Sequence, residues 1–485
     1  MKQKLTIPVR GMFEVPAKAI IRIGLKPWQY NVDGDVVSSL LEAPERGLIL
    51  IPRNFKKLVK HLKRKGYEPV FKDERLTKKM EKPFVLSEEF NLRDYQAKAV
   101  RELLKTLSGS PEASALLKAP PSFGKSYILP YIVSKVGQKT LVIVDRVDLV
   151  KQMFDEFSKN VADGDFHILN KKDQRIADVN ITTFQFLLRN PKLVEKLAEE
   201  IGFVVVDEAH LISIGAFTQI VNKLPAKYRL GLSATPTRSD GLTGALYDVM
   251  TNNIINGENP DLLRVKFMLL DRPQYLMFGP ELPPSKAWPL FLSSADVVAD
   301  VVTFAKFLLG KERAILIYST YSRAQKALKN ALKKIGVSSE IINQQTPKEE
   351  RVRILAEFQE RKIDVIISGT ILQKGVSIHR LDTVLNVGNH TKESLEQLIG
   401  RLRREHPDKK DPLYIDFAFD GKAFWKALNR WSILEKLSKE HKDKLIHLNK
   451  IQVNKILERE GRNEYYRKII GDKKSSYAYG KIATD

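Results

Sequence analysis

The chain has 485 residues, 43% of them hydrophobic and none cysteine; 81 Lys or Arg stand against 58 Asp or Glu, a formal charge of +23. That length predicts roughly three domains with packed cores, which excludes wholesale disorder, and the missing cysteines exclude disulfides, thiol nucleophiles and cysteine-held zinc or iron–sulfur centres. The basic excess predicts a polyanionic partner, nucleic acid before a merely solvated surface; with no signal-peptide core in MKQKLTIPVRGMFEVP and no apolar run of about 18 residues, a cytoplasmic protein is expected.

Residues 1–88 mix short β-type runs (KLTIPV, KAIIRIGL, RGLILIP) with one basic helix, in which Phe55, Leu58, Val59 and Leu62 recur at helical spacing until Gly66 stops the pattern. A strand-like EPVF follows. Arg53 to Lys65 holds seven Lys or Arg and no acid, so Lys56, Lys57, Lys60 and Lys63, with Arg64, are candidate phosphate-backbone contacts; a solvated face is the alternative. The segment reads as a small α+β accessory module that binds DNA.

From about 89 to 255 the runs LVIV (141–144) and FVVV (203–206) are wholly apolar, with amphipathic helices between them. That alternation predicts a parallel sheet covered on both faces. After PQYLMFGPELPPSKAWP (273–289), read as a linker or excursion, AILIYS, DVIISG and TVLNVG repeat the pattern, giving a second α/β half over 256–420. The remainder, 421–485, reads as a helical, lysine-rich extension containing Trp425, Trp431 and tyrosines 465, 466, 477 and 479. Phe424, Leu428 and Trp431 share one helical stripe, so Trp431 is expected to pack; Trp425 lies off it and stays open between packing and base stacking.

The chemistry starts at KAPPSFGKSY (118–127), a phosphate-loop pattern with Ala119 where the first glycine belongs. Such a match arises by chance in roughly one chain in twenty-five, but SALLKAP can supply the strand before it and SYILPYIVSKV the helix after it. Amides from Ser122 to Ser126, through Phe123 and Gly124 and following Pro121, would cradle phosphates at a helix N-terminus, with Lys125 on the β/γ-phosphates and Ser126 on Mg²⁺. FVVVDEAH then delivers Asp207 and Glu208 at a strand end: one carboxylate for the magnesium shell, one to polarise the attacking water. Together they predict an ATP site with Mg²⁺.

With those residues placed, the chain resembles the superfamily 2 helicases over about 90–417: two tandem RecA-like parallel-sheet domains hydrolysing ATP on nucleic acid. LRDYQ (92–96) resembles the adenine-reading segment, which implies Gln96 as base contact, Arg93 beside it and Phe90 as stacking residue. VDRVDLVKQM and ITTFQFLL resemble motifs Ia and Ib, implying nucleic-acid contacts from Arg146, Thr183 and Gln185, and Thr370 is implied in the second half. GLSATPTR resembles motif III, so Ser233 and Thr235, with His210 of the DEAH turn, are implied to couple phosphate state to strand contact. AILIYSTYSRAQKAL resembles motif IV and SGTILQKGVSIHRLDTVLNVG motif V, with Gly375 at the nucleotide. QLIGRLRR matches motif VI, implying Gln397, Arg401 and Arg404 as catalytic, while Arg403 is open between surface, nucleic-acid and catalytic roles. The arginines would reach the γ-phosphate from the other half and stabilise transition-state charge.

GVSIHRLDTV followed by LEQLIGRLRR resembles more narrowly the phage UvsW-type helicases, with Ser377 after the motif V glycine. That implies a monomeric motor on forked or junction DNA in recombination, repair or replication, in a bacterial host's cytoplasm, alongside phage or host replication and recombination proteins. An RNA helicase, the motor subunit of a restriction-type complex and a binding protein with a dead ATPase are the alternatives.

Overall fold

The computed structural model describes residues 3–10, 12–16, 29–32, 35–38, 41–43, 48–51, 54–211, 220–234, 236, 243–260, 262–272, 284–369, 378, 380–388, 390, 392–407, 409–419 and 424–470. It divides into two compact units, Met1–Pro260 and Asp261–Asp485. The apolar run at 18–25, residues 273–283 of the proline-rich stretch, Ser377 and tyrosines 477 and 479 lie outside the described residues.

The first unit opens with a five-stranded sheet in the order Leu41–Ala43, Leu48–Ile51, Phe13–Pro16, Gln3–Val9, Tyr67–Asp73. Only the last pair is parallel, from Gln3 against Tyr67 to Val9 against Asp73. The basic helix Phe55–Arg64 covers one face. Asn54 caps it by accepting the Lys57 N–H at 3.0 Å, and Gly66 ends the turn with a φ of +85°, open to glycine at little cost. Phe55, Leu58 and Leu62 are buried as the spacing predicts, against Ile7, Val9, Phe13 and Val15.

The second sheet of this unit has seven parallel strands: Phe166–Ile168, Val179–Thr183, Thr140–Val144, Phe203–Val206, Tyr228–Ser233, Ser114–Lys118 and Ile254–Asn256. LVIV and FVVV are central and buried on both faces, which is why they carry no polar alternation. One face packs on Leu103, Ile132 and Phe157, the other on Leu187, Leu197 and Leu246. The accessory module is tied to this body through Asp248, which accepts from Asn54 Nδ2 at 2.6 Å and Lys57 Nζ at 2.9 Å.

The second unit repeats the plan with seven parallel strands: Ser339–Ile342, Val365–Ser368, Ile315–Tyr318, Thr383–Asn386, Leu413–Phe419, Lys266–Arg272 and Lys444–Leu448. The last strand differs from expectation. The extension is helical at Phe424–His441, Lys450–Arg459 and Arg462–Ile470, yet KLIHL between them adds an edge strand beside Lys266–Arg272. The end of the proline-rich stretch, read as a linker or excursion, is helical: residues 284–289 begin the helix Pro284–Leu292. Trp431 is buried, as its stripe predicts, with its ring 5.0 Å from that of His447; the Trp425 side chain lies outside the described residues. Among the described residues no helix is long and apolar enough to cross a membrane.

Candidate active site

The phosphate loop leaves the strand Ser114–Lys118 and enters the helix Lys125–Val136. Ala119 donates its N–H to the Ser233 carbonyl (3.0 Å), and Phe123 donates to the Pro120 carbonyl (3.1 Å), so the two prolines close a turn instead of stiffening it away. Ser122 and Gly124 have φ of +76° and +86°; a left-handed serine is strained, and such strain gathers at functional loops. Ala119 is fully buried against Gly257, where a Cβ would come within 2.8 Å of Ala119 and 2.9 Å of Phe123. The small residue at 119 is therefore a packing requirement. Lys125 Nζ donates to the Ala119 carbonyl at 3.1 Å, which holds the ammonium over the loop; Pro121 and Ser126 are half-buried beside it.

Asp207 and Glu208 follow the strand Phe203–Val206, and the Asp207 N–H donates to the Ile143 carbonyl at 2.9 Å. Burial, then the neighbouring Glu208 and Asp145, push the Asp207 carboxyl up to about 7 against the pull of Lys125. This acidic pocket with one cation suits a divalent metal. Mg²⁺ is held by one or two protein oxygens plus phosphates and water, a demand that the Ser126 hydroxyl and the Asp207 carboxylate would meet. Glu208 has a φ of +45°. Its Oε2 lies 3.4 Å from His210 Nδ1, and the same nitrogen is 2.9 Å from the Ser233 hydroxyl. Ser233 thus joins the DEAH turn through its side chain and the phosphate loop through its carbonyl. Thr235 lies outside the described residues, as do Thr370 and Gly375.

Gln96 is buried, and both ends of its amide are engaged within the protein. Nε2 donates to the Phe123 carbonyl at 2.8 Å and Oε1 accepts the Arg93 N–H at 3.1 Å. The structure places this side chain on the phosphate loop, where the family resemblance implies a base contact. Phe90 stacks on Tyr127 (4.8 Å, 18°), whose hydroxyl donates to the Asn91 carbonyl at 2.9 Å. Tyr127 escaped the sequence reading; its one signal was an aromatic directly after Lys-Ser. Arg93 is exposed at the start of the helix Asp94–Gly109.

The expected nucleic-acid residues divide. Arg146 begins the helix Val147–Asn160 and pairs with Asp148 at 3.4 Å. Thr183 is buried, its hydroxyl capping the next helix through the Phe186 N–H at 3.2 Å, while Gln185 is exposed. Lys56, Lys60 and Lys63 are exposed. Lys57 is exposed as well, but its ammonium already has a partner within the protein. It is tied to Asp248, whose carboxyl burial pushes up to about 7.

In the second unit the motif VI helix Lys392–Leu402 carries Gln397 and Arg401. Burial, then neighbouring Arg404, bring the Arg401 guanidinium down to about 9; burial also lowers Arg404. Lys409 donates to the carbonyls of Arg404 (2.8 Å) and Arg401 (3.3 Å). Arg403 is resolved from its alternatives: it is buried in an ion pair with Asp443. Arg430 and Asp416 form a second buried pair. The carboxylates of these pairs were not singled out in the sequence, since each lies far from its arginine in an unremarked stretch.

Two RecA-like sheets, a phosphate loop, a DEAH turn joined to motif III and a motif VI helix define a superfamily 2 helicase, an ATP-dependent enzyme. The family model "Type III restriction enzyme, res subunit" matches residues 89–238 and "Helicase conserved C-terminal domain" matches 299–406. Among curated relatives, "DNA 3'-5' translocase XPB2" of Sulfurisphaera tokodaii is 23% identical over 391 residues, covering 72% of this chain and 86% of the relative. "Probable helicase D10" of Escherichia phage T5 is 25% identical over 328 residues, covering 64% and 68%. The solved structure of S. cerevisiae Dbp5 bound to RNA and ADP BeF3 shares the fold, with a TM-score of 0.50 at 17% identity over 79% of this chain and 99% of that one.

Proposed function

We propose that the chain is a DNA motor that uses ATP to unwind or branch-migrate forked and junction DNA in replication, recombination or repair. In this reading Lys125 and the amides from Ser122 to Ser126 hold the phosphates, and Ser126 and Asp207 would hold Mg²⁺, which supplies positive charge to the transferring group. Glu208 takes the proton of the attacking water, and Arg401 and Arg404 stabilise transition-state charge. His210 and Ser233 report the nucleotide's state to the loop. The observation that carries the DNA assignment is the basic helix Phe55–Arg64: Asn54 and Lys57 fix it to the unit that holds the phosphate loop, and Lys56, Lys60 and Lys63 face solvent. The charge of +23 and the relative named as a DNA translocase point the same way. The branched substrate rests on the UvsW-type motif resemblance and on this module, since a core that grips backbone cannot by itself tell a junction from an end.

The test is ATPase rate with linear duplex, single strand, RNA, fork and four-way junction on one preparation, with Glu208→Gln as the control. Stimulation ranked fork or junction first is expected. Equal stimulation by RNA would sink the DNA assignment, and forks no better than single strands would sink the branched one. The restriction-type description of the model over 89–238 favours one other reading, a motor subunit; co-purification with a nuclease subunit would establish it.

A further inference from the structure

Motif VI is gripped from both ends by the segment beyond residue 423. At the far end, Arg403 precedes Arg404 and is 3% exposed; its Nη2 donates to Asp443 Oδ2 at 2.5 Å. The Asp443 side chain is itself fully buried, and its Oδ1 accepts the Val265 N–H at 2.8 Å. The Arg403 carbonyl accepts from Leu263 N–H at 3.1 Å, and the Lys444 N–H donates to Val265 at 3.3 Å. The residue beside Arg404 is thus clamped by side chain and main chain at the point where the strands Lys266–Arg272 and Lys444–Leu448 begin. At the near end, Arg430 of the helix Phe424–His441 pairs with Asp416 (2.9 and 3.0 Å), which accepts from Asn386 Nδ2 at 3.0 Å. Asn386 Oδ1 lies 3.0 Å from His390 Nε2, and His390 Nδ1 lies 3.2 Å from the Ser394 hydroxyl on the motif VI helix.

We propose that residues 424–448 form an intramolecular brace for motif VI and that Asp443 is a positioning residue, acting through Arg403 to aim Arg404. The proposal rests on the reading of Arg404 as a hydrolytic arginine. Stability alone is a poor reason for such a pair, because two apolar side chains of similar size often serve a core as well or better. A directional tie is a better one. A displacement of about 1 Å at a catalytic group can cost about a hundredfold in rate, and the Arg403 contacts fix the backbone one residue from the guanidinium that must be aimed.

Asp443→Asn keeps an acceptor for the Val265 N–H and removes the charge from Arg403. In the full-length protein, with rates normalised to nucleotide-binding sites, kcat should fall at least about tenfold while KM for ATP stays within about twofold. Arg403→Met, which removes the buried cation and leaves Asp443 its bond to Val265, should do the same and covers the case in which the first variant misfolds. The deciding measurement is the combination. If Asp443 acts through Arg404, Asp443→Asn added to Arg404→Ala lowers kcat no further. An equal additional loss in both backgrounds, or a lowered melting temperature with kcat unchanged, overturns the proposal. Wild-type turnover by Arg404→Ala would overturn the underlying reading as well, whereas a crippled Arg404→Ala beside an unaffected Asp443→Asn overturns the brace alone.

Discussion

Removing the Gln96 amide separates two roles that the motif resemblance merges. Gln96→Ala deletes the bond from Nε2 to the Phe123 carbonyl and the bond that Oε1 receives from the Arg93 N–H, and it leaves both backbone groups without that partner. Each bond contributes about 0.5–1.5 kcal/mol; the one from Arg93 caps the helix Asp94–Gly109, so the loop conformation itself loses about 0.5–1.5 kcal/mol. The fraction of molecules with a competent loop can then fall by a factor of about 2 to 13. Because the Phe123 carbonyl lies in the phosphate loop, the loss should be shared by ATP, ADP and GTP. Fluorescent-nucleotide titrations of wild type and variant with all three would measure it. A loss confined to adenine nucleotides, with GTP affinity unchanged, would refute the argument and return Gln96 to base reading.

Glu208→Gln should bind ATP and hydrolyse it at least about a hundredfold slower, and Lys125→Ala should abolish turnover; phosphate release at the wild-type rate by either would displace the catalytic assignment. The Asp207 carboxyl, pushed up to about 7, is protonated below that pH, so Mg²⁺ must displace a proton there. The Mg²⁺ concentration for half-maximal ATPase should rise by about fivefold from pH 7 to pH 6, and a flat profile would show that Asp207 is not the ligand. Reversing the charge of Lys56, Lys60 and Lys63 together should flatten the salt dependence of DNA binding by about one unit of slope for each phosphate that is no longer neutralised. Fork unwinding should fail while ATPase stimulated by single strands survives; equal losses on both would end the branch-reading role. Lys57→Ala should leave the salt slope unchanged and weaken the docking of the module, by about 1 kcal/mol after allowance for the half-exposed lysine. Protease susceptibility of the junction near residue 54 reads this, and a changed slope with unchanged susceptibility would put Lys57 on DNA.

Residues whose role depends on a few neighbours along the chain were readable in the sequence. A strand, a tight turn and a helix N-terminus set Lys125 and Ser126 in one contiguous loop, and FVVV carries Asp207 and Glu208 to a strand end by its own extension. The same locality made the helix at Phe55 and both buried sheets legible, since apolar spacing reflects which faces lose water. Long polar side chains were decided only by the tertiary structure. Lys57 sits in a run of exposed lysines and differs from them only because Asp248, 191 residues on, arrives beneath it. KLIHL lies between lysine-rich helices and pairs as a strand only because Lys266–Arg272 offers a free edge. Arg403 reads like its neighbours until Asp443, 40 residues later, buries its charge. A buried ionic group is tolerated only where a partner compensates its lost hydration, and which segment supplies that partner is fixed by how the sheets assemble.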